Sequence, residues 1–213
     1  MGYRLPTLHK QTKKRIECMN FEAVETYILK KLEEELPSHL FYHGLHHTKD
    51  VFSAALNIAL EEGITESSEL TMLKTASLYH DAGFTVDYQN HEENGCVLAR
   101  KTLPEFGFTT NEIETICGMI MATKIPQSPQ NKLEEILCDA DLDYLGRDDF
   151  YKIGDTLFSE LNFFKLVSDQ QQWNRIQVSF LSNHKYFTNY GRSHREGQKQ
   201  LYLNDIKKVV DAY

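Results

Sequence analysis

Apolar residues recur at intervals of three and four along nearly the whole chain, and nowhere does strict apolar–polar alternation run between turn residues. Side chains three and four apart share a helix face, whereas a strand needs a period of two. The chain is therefore expected to be all-α. Asn20 is a candidate N-cap for a first helix carrying Phe21, Val24, Ile28, Leu32 and Leu36, and Pro37 stops it. His47, Val51, Ala54, Ala55 and Ile58 mark a second helix closed by Gly63, and Leu70, Leu73, Ser77 and His80 a third ending near Gly83. His91, Gly95, Leu98 and Ala99 share the next stripe. Thr109 and Glu112 form a capping-box pattern ahead of Ile113, Ile116, Cys117 and Ile120. A sixth helix carries Leu133, Ile136, Leu137, Ala140, Asp141 and Tyr144. Phe150, Ile153, Leu157 and Leu161 mark a seventh, and Trp173, Ile176 and Phe180 an eighth. A last helix runs from about Arg192 through Leu201 and Ile206.

No repeat, low-complexity linker or composition break divides the 213 residues, a length ample for one buried core. Residues 1–19 read as an N-terminal extension and 20–213 as a single domain whose helices share that core. No apolar run long enough to span a membrane and no secretory signal is present, so a cytoplasmic location without a membrane partner is expected. Lys and Arg number 23 against 31 Asp and Glu, and the net charge of −8 opposes binding to a phosphate backbone. No nucleic-acid partner is expected. Cys18, Cys96, Cys117 and Cys138 stand apart with no C-x-x-C pair, which fits reduced core thiols and argues against a thiolate zinc site. The chain also lacks G-x-G-x-x-G, the P-loop pattern and G-x-S-x-G. His91-Glu92-Glu93-Asn94-Gly95 begins like H-E-x-x-H but has Gly where the second His must be.

What remains is a set of polar residues in phase with apolar stripes. His47 precedes Val51, Ala54, Ala55 and Ile58 at helical spacing and so points where they point. His80 falls in phase with Leu70, Leu73 and Ser77, and Asp81 lies one position further round. Asp141 shares the stripe of Leu133, Leu137 and Tyr144, while Asp139 and Asp143 fall off it. A buried ionised carboxylate or an unsatisfied imidazole is costly, so four such groups on inward faces are hard to explain separately. Convergence on one divalent cation explains all four. Nitrogen and oxygen donors suit Mn, Mg, Fe, Co, Ni or Zn.

The segment Ser77-Leu78-Tyr79-His80-Asp81-Ala82-Gly83-Phe84 resembles the signature of the HD-domain metal-dependent phosphohydrolase superfamily. His47-Thr48 followed by Val51 resembles the family's first histidine, and Asp139-Ala140-Asp141-Leu142-Asp143 its final Ala-Asp motif, with Asp141 in the ligand position. The resemblance covers about residues 40–145 and leaves helices at 147–213 beyond it. It implies an all-helical fold holding a divalent metal through His47, His80, Asp81 and Asp141. It also implies hydrolysis of a phosphate ester of a small, nucleotide-like substrate, with Asp81 orienting the attacking water. Many relatives carry a His pair before the last aspartate, where this chain reads Ala122-Thr123-Lys124.

His91, in phase with Gly95 and Leu98, is a second catalytic candidate, and Lys124 is a candidate contact for a substrate phosphate. His43 and His46 are off the phase of His47 and are expected at the surface or behind the ligands. Lys185, Arg192, Arg195 and Lys199 are expected on a solvated face, with a phosphate clamp as the sharper alternative. The aromatic run Phe158, Phe163 and Phe164 is expected in the core or on a homodimer face. The reading is a metal-dependent phosphohydrolase, either phosphatase or phosphodiesterase. Its rivals are a metal-containing nucleotide-binding or signalling module without turnover and an oxygenase on the same scaffold.

Overall fold

A computed structural model describes residues 19–213. Most of the expected N-terminal extension, with Cys18, lies outside the described residues. Among those described there is no strand. The first six helices are α1 (Phe21–Glu35), α2 (Leu45–Glu61), α3 (Ser67–Tyr79), α4 (His91–Thr102), α5 (Thr110–Ala122) and α6 (Lys132–Asp141). They are followed by α7 (Phe150–Phe163), α8 (Gln170–Asn183), α9 (Asn189–His194) and α10 (Glu196–Asp211). Short 3₁₀ turns occupy Ala82–Thr85, Leu103–Phe106 and Asp143–Gly146.

The helix ends lie where side-chain chemistry sets them. The Asn20 side chain accepts from the Ala23 N–H at 3.1 Å, and α1 stops ahead of Pro37. Thr109 and Glu112 form the reciprocal capping box at the start of α5. The Asn131 side chain caps α6 by accepting from Glu134 N–H at 3.1 Å. Gly63, at φ 76°, supplies the left-handed residue just beyond α2.

Three expectations need correction. The third helix does not run on through His80 and Asp81: α3 ends at Tyr79, His80 is its C-cap and Asp81 opens the 3₁₀ turn. The sixth helix ends at Asp141, three residues before Tyr144, which sits in a second 3₁₀ turn. The last helix is split into α9 and α10 at Arg195, where Gly146 packs so close that a Cβ on it would lie 2.3 Å from the Arg195 carbonyl oxygen.

The buried apolar residues form two clusters within the domain. The larger joins α1 to α6 and includes Ile28, Val51, Leu73, Ile116, Ile120 and Leu137. The smaller gathers Tyr42, Leu145, Phe150, Leu181, Leu203 and Ile206 beneath α7, α8 and α10. A fully buried side chain of this kind contributes about 1.5–3 kcal/mol. Truncating Ile120 or Leu137 to alanine should cost about 2–5 kcal/mol, because close-packed neighbours cannot collapse fully into the gap. Cys96, Cys117 and Cys138 are free thiols buried in the interior, as expected.

Asp139 ties α6 to the C-terminal helices. It is fully buried and accepts from the N–H groups of Phe187 and Thr188 at 2.9 and 2.8 Å and from the Thr188 hydroxyl at 2.6 Å. The same Thr188 oxygen caps α9 by accepting from Gly191 N–H at 2.9 Å. Asp143, also buried, is clasped by the Arg195 guanidinium at 2.7 Å. Neither aspartate reaches the surface, because residues 187–195 close over them.

Candidate metal centre

Three helix ends converge where the two apolar clusters meet. His47 lies in the first turn of α2, His80 and Asp81 at the end of α3, and Asp141 is the last residue of α6, with α2 packed on both other helices. The Tyr42 ring covers His47 with a centroid separation of 4.5 Å. The Nδ1–H of His80 donates to the Ser77 carbonyl at 2.8 Å, one turn back in α3. That bond fixes the tautomer and turns an Nε2 lone pair toward the cluster.

His47 Nε2 lies 3.1 Å from Asp141 Oδ1 and 3.4 Å from Asp81 Oδ2. His80 Nε2 lies 3.2 Å from Asp81 Oδ2, 3.4 Å from His47 Nε2 and 3.6 Å from Asp141 Oδ1. The ligand atoms of His47, His80 and Asp141 all lie within 4.8 Å of one another. Asp81 Oδ2 is buried and has no hydrogen-bond partner. An orphaned carboxylate oxygen between two imidazole nitrogens is costly unless a cation sits with it, so these residues fit a divalent ion held by two nitrogens and two oxygens.

The electrostatics agree. Burial works against a charged His80 ring, yet Asp81 and then Asp141 beside it raise its pKa to about 9. Burial would likewise raise Asp81, but His80, followed by His43 and His47, holds the carboxyl far below the usual range. The site stabilises positive charge at one point.

A cavity of about 560 Å³ opens beside this cluster. Asp81 and Asp141 line it, as do both secondary candidates. His91, at the N-terminus of α4, places Nε2 3.7 Å from Asp81 Oδ1 and 3.3 Å from Glu92 Oε1. Its position is set by backbone contact, since a Cβ on Gly83 would lie 1.9 Å from the His91 carbonyl oxygen. Lys124 follows α5 on the cavity rim, with its ammonium paired to Glu93. The basic C-terminal residues do not line the cavity. Arg195 is held by Asp143, Arg192 by the Phe187 carbonyl, and Lys199 is fully buried against Glu196 and His184. Phe158 packs on Trp173, while Phe163 is exposed and stacks on His39. His46 is exposed.

Sequence reasoning missed Glu160. It is fully buried and accepts from the N–H groups of Tyr42 and His43 at 2.9 and 3.1 Å. Its other oxygen meets His43 Nδ1 at 2.5 Å and accepts from the Tyr88 hydroxyl at 3.3 Å. Burial disfavours a charged His43, but the bond to Glu160 together with the charges of Asp81, Glu160 and Asp141 outweighs it and raises the ring's pKa. His43 thus lines the cavity beside the ligand cluster, its ring stacked on Phe84. The only sequence signal for Glu160 is an acid one residue from Leu161 on the stripe of α7.

No family model matches the sequence, and no curated protein matches it. Two solved structures share its architecture. A predicted HD superfamily hydrolase from an uncultured Thermotogales bacterium superposes with a TM-score of 0.58 at 20% identity, over 88% of this chain and 91% of that one. A structural-genomics protein from Lactobacillus plantarum superposes with a TM-score of 0.63 at 16% identity, over 93% of this chain and 100% of that one. With its His and Asp residues gathered at one point inside an all-α domain, this chain shares the fold of these two structures.

Proposed function

We propose that the protein is a metal-dependent phosphohydrolase acting on a phosphate ester of a small molecule. The observation that carries this reading is the buried, unpartnered Asp81 Oδ2 set between His47 and His80 at the mouth of a large cavity. His47, His80, Asp81 and Asp141 would hold one divalent ion of the Mn, Mg, Fe, Co, Ni or Zn group. When bound, such an ion lowers the pKa of coordinated water and neutralises a phosphoryl oxygen.

The remaining work falls to the chain's own groups. Asp81 Oδ1 and His91 Nε2 lie 3.7 Å apart on the cavity wall, close enough for one water beside them to hydrogen-bond to both and give up its proton. Lys124 stands where it can exchange Glu93 for a substrate phosphate oxygen. Tyr42, Tyr144 and Phe84 keep bulk water from the ligand cluster, which strengthens each charge interaction there. A nucleotide-like substrate is the expectation drawn from the family resemblance. The test is turnover of a panel of phosphorylated metabolites by metal-quantified protein. A chelator should abolish turnover and added Mn should restore it, while His80→Ala and Asp141→Ala should each lose most of the metal. Tight nucleotide binding with no turnover at full metal loading would favour the binding-module reading instead.

A further inference from the structure

The cavity beside the ligand cluster is chemically two-sided. His43, Asp81, His91 and Asp141 line it where the phosphate would sit, whereas α7 and α8 contribute Leu157, Leu161, Trp173, Ile176, Phe180 and Leu181. Of the α7 and α8 residues that line it, only Gln177 and the Trp173 indole N–H offer a hydrogen-bonding group. Ribose hydroxyls and base edges buried against such a wall would lose water without replacement partners, which is expensive for each group. Among the described residues lining the cavity the one lysine or arginine is Lys124, and Glu93 already pairs with it. That leaves little positive charge for a polyphosphate chain.

Resting on the hydrolase reading above, we propose that the substrate is an amphiphilic phosphate ester whose leaving alcohol is a hydrocarbon, alkyl or aryl, lodged between α7 and α8. In the reaction the oxygen of water bonds to phosphorus and the P–O bond to the hydrocarbon breaks. The departing alkoxide takes up a proton derived from that water, giving the alcohol and inorganic phosphate. The wall discriminates by buried area. A buried methylene contributes about 0.8 kcal/mol, which is a factor of about four.

Trp173 is the one tryptophan of the chain and lines the apolar wall, so its fluorescence reports occupancy directly. The first measurement is a Trp173 titration of the Mg-supplemented protein with butyl-, hexyl- and octylphosphonate, whose C–P bonds are not hydrolysed. Affinity should rise about twofold to fourfold per methylene, and by tenfold or more from butyl to octyl. The second is kcat/KM for the matching alkyl phosphates, which should rise in parallel. A third uses Gly154→Leu, because a Cβ there meets nothing nearer than Gln177 Oε1 at 3.7 Å and the added side chain can enter the space between the helices. That variant should shift the preference toward shorter chains.

Less than a threefold gain from butyl to octyl in both series would overturn the proposal, as would AMP binding more tightly than octylphosphonate. Turnover with no dependence on chain length would sink the hydrocarbon assignment and leave the hydrolase reading standing. Length-dependent phosphonate binding without turnover of any ester would do the reverse, sustaining the ligand class and refuting hydrolysis.

Discussion

Asp139→Ala should destabilise the protein by roughly 2–6 kcal/mol yet leave the capacity for metal intact. The carboxylate accepts three hydrogen bonds, from Phe187 N–H at 2.9 Å, Thr188 N–H at 2.8 Å and the Thr188 hydroxyl at 2.6 Å. Bonds to a charged acceptor are worth roughly 1.5–3 kcal/mol each, and alanine leaves their donors buried without a partner. An offset applies. Burial raises the Asp139 pKa to about 6 against the pull of those donors, and that rise of about two units from 3.8 means that holding the charge costs about 3 kcal/mol at neutral pH. That cost is already net of the donors' pull, so deleting the carboxylate recovers at least this much and the loss falls below the three-bond total of roughly 4.5–9 kcal/mol. Urea unfolding of both proteins with a chelator present removes any stabilisation by bound metal. Metal uptake by the folded variant is measured separately, beside Asp141→Ala. A stability change under about 1 kcal/mol would show that the contacts to residues 187 and 188 do not hold α6. Metal loss equal to that of Asp141→Ala would show that helical phase does not separate the two aspartates.

Lys124→Met should lower kcat/KM about tenfold with metal content unchanged, since a point charge on the rim is lost and no ligand is touched; unchanged kinetics would leave Lys124 as the partner of Glu93 alone. Burial, reinforced by Lys199 Nζ at 3.2 Å, lowers the His184 pKa from 6.5 to about 4, so the unfolded chain takes up a proton in that window and the folded one does not. Stability from this group is therefore complete above about pH 6.5 and declines by about 3 kcal/mol as the pH falls toward 4. Urea midpoints at pH 7.5 and 4.5 should differ less in His184→Gln than in the native chain, and equal differences would refute the assignment.

Much of the site is legible in the sequence because helical phase is a strong signal where one face of a helix meets the core. His47 and Asp141 are in phase with Val51 and Leu137, and the folded chain brings them to 3.1 Å from each other. Phase misleads where a helix is covered on more than one side. Asp139 lies off the α6 stripe and is nonetheless fully buried, since α9 and the strand-free stretch before it close over that face. It is also silent about distant partners. Glu160 and His43 are 117 residues apart, and nothing local around either residue announces their bond. Arg195 reads as a mid-helix residue, and its close approach to Gly146 at the break exists only in the folded chain.

The absence of a side chain at Gly83 has a consequence for how this site can be remodelled. With the His91 carbonyl pressed against Gly83, and the Gly95 Cα so near α3 that a Cβ would lie 2.9 Å from the Tyr79 carbonyl oxygen, the start of α4 is docked directly onto the turn that carries Asp81. The spacing of Asp81 and His91 is thus set chiefly by backbone meeting backbone, across the stretch 86–90. That stretch contributes Tyr88, Gln89 and Asn90 to the cavity. Gln89 is its exchangeable position: Tyr88 holds the His91 ring through its carbonyl at 3.3 Å and Glu160 through its hydroxyl, and Asn90 opens α4 at φ 57°, so a new side chain at 89 reshapes what the cavity accepts while His91 keeps its place.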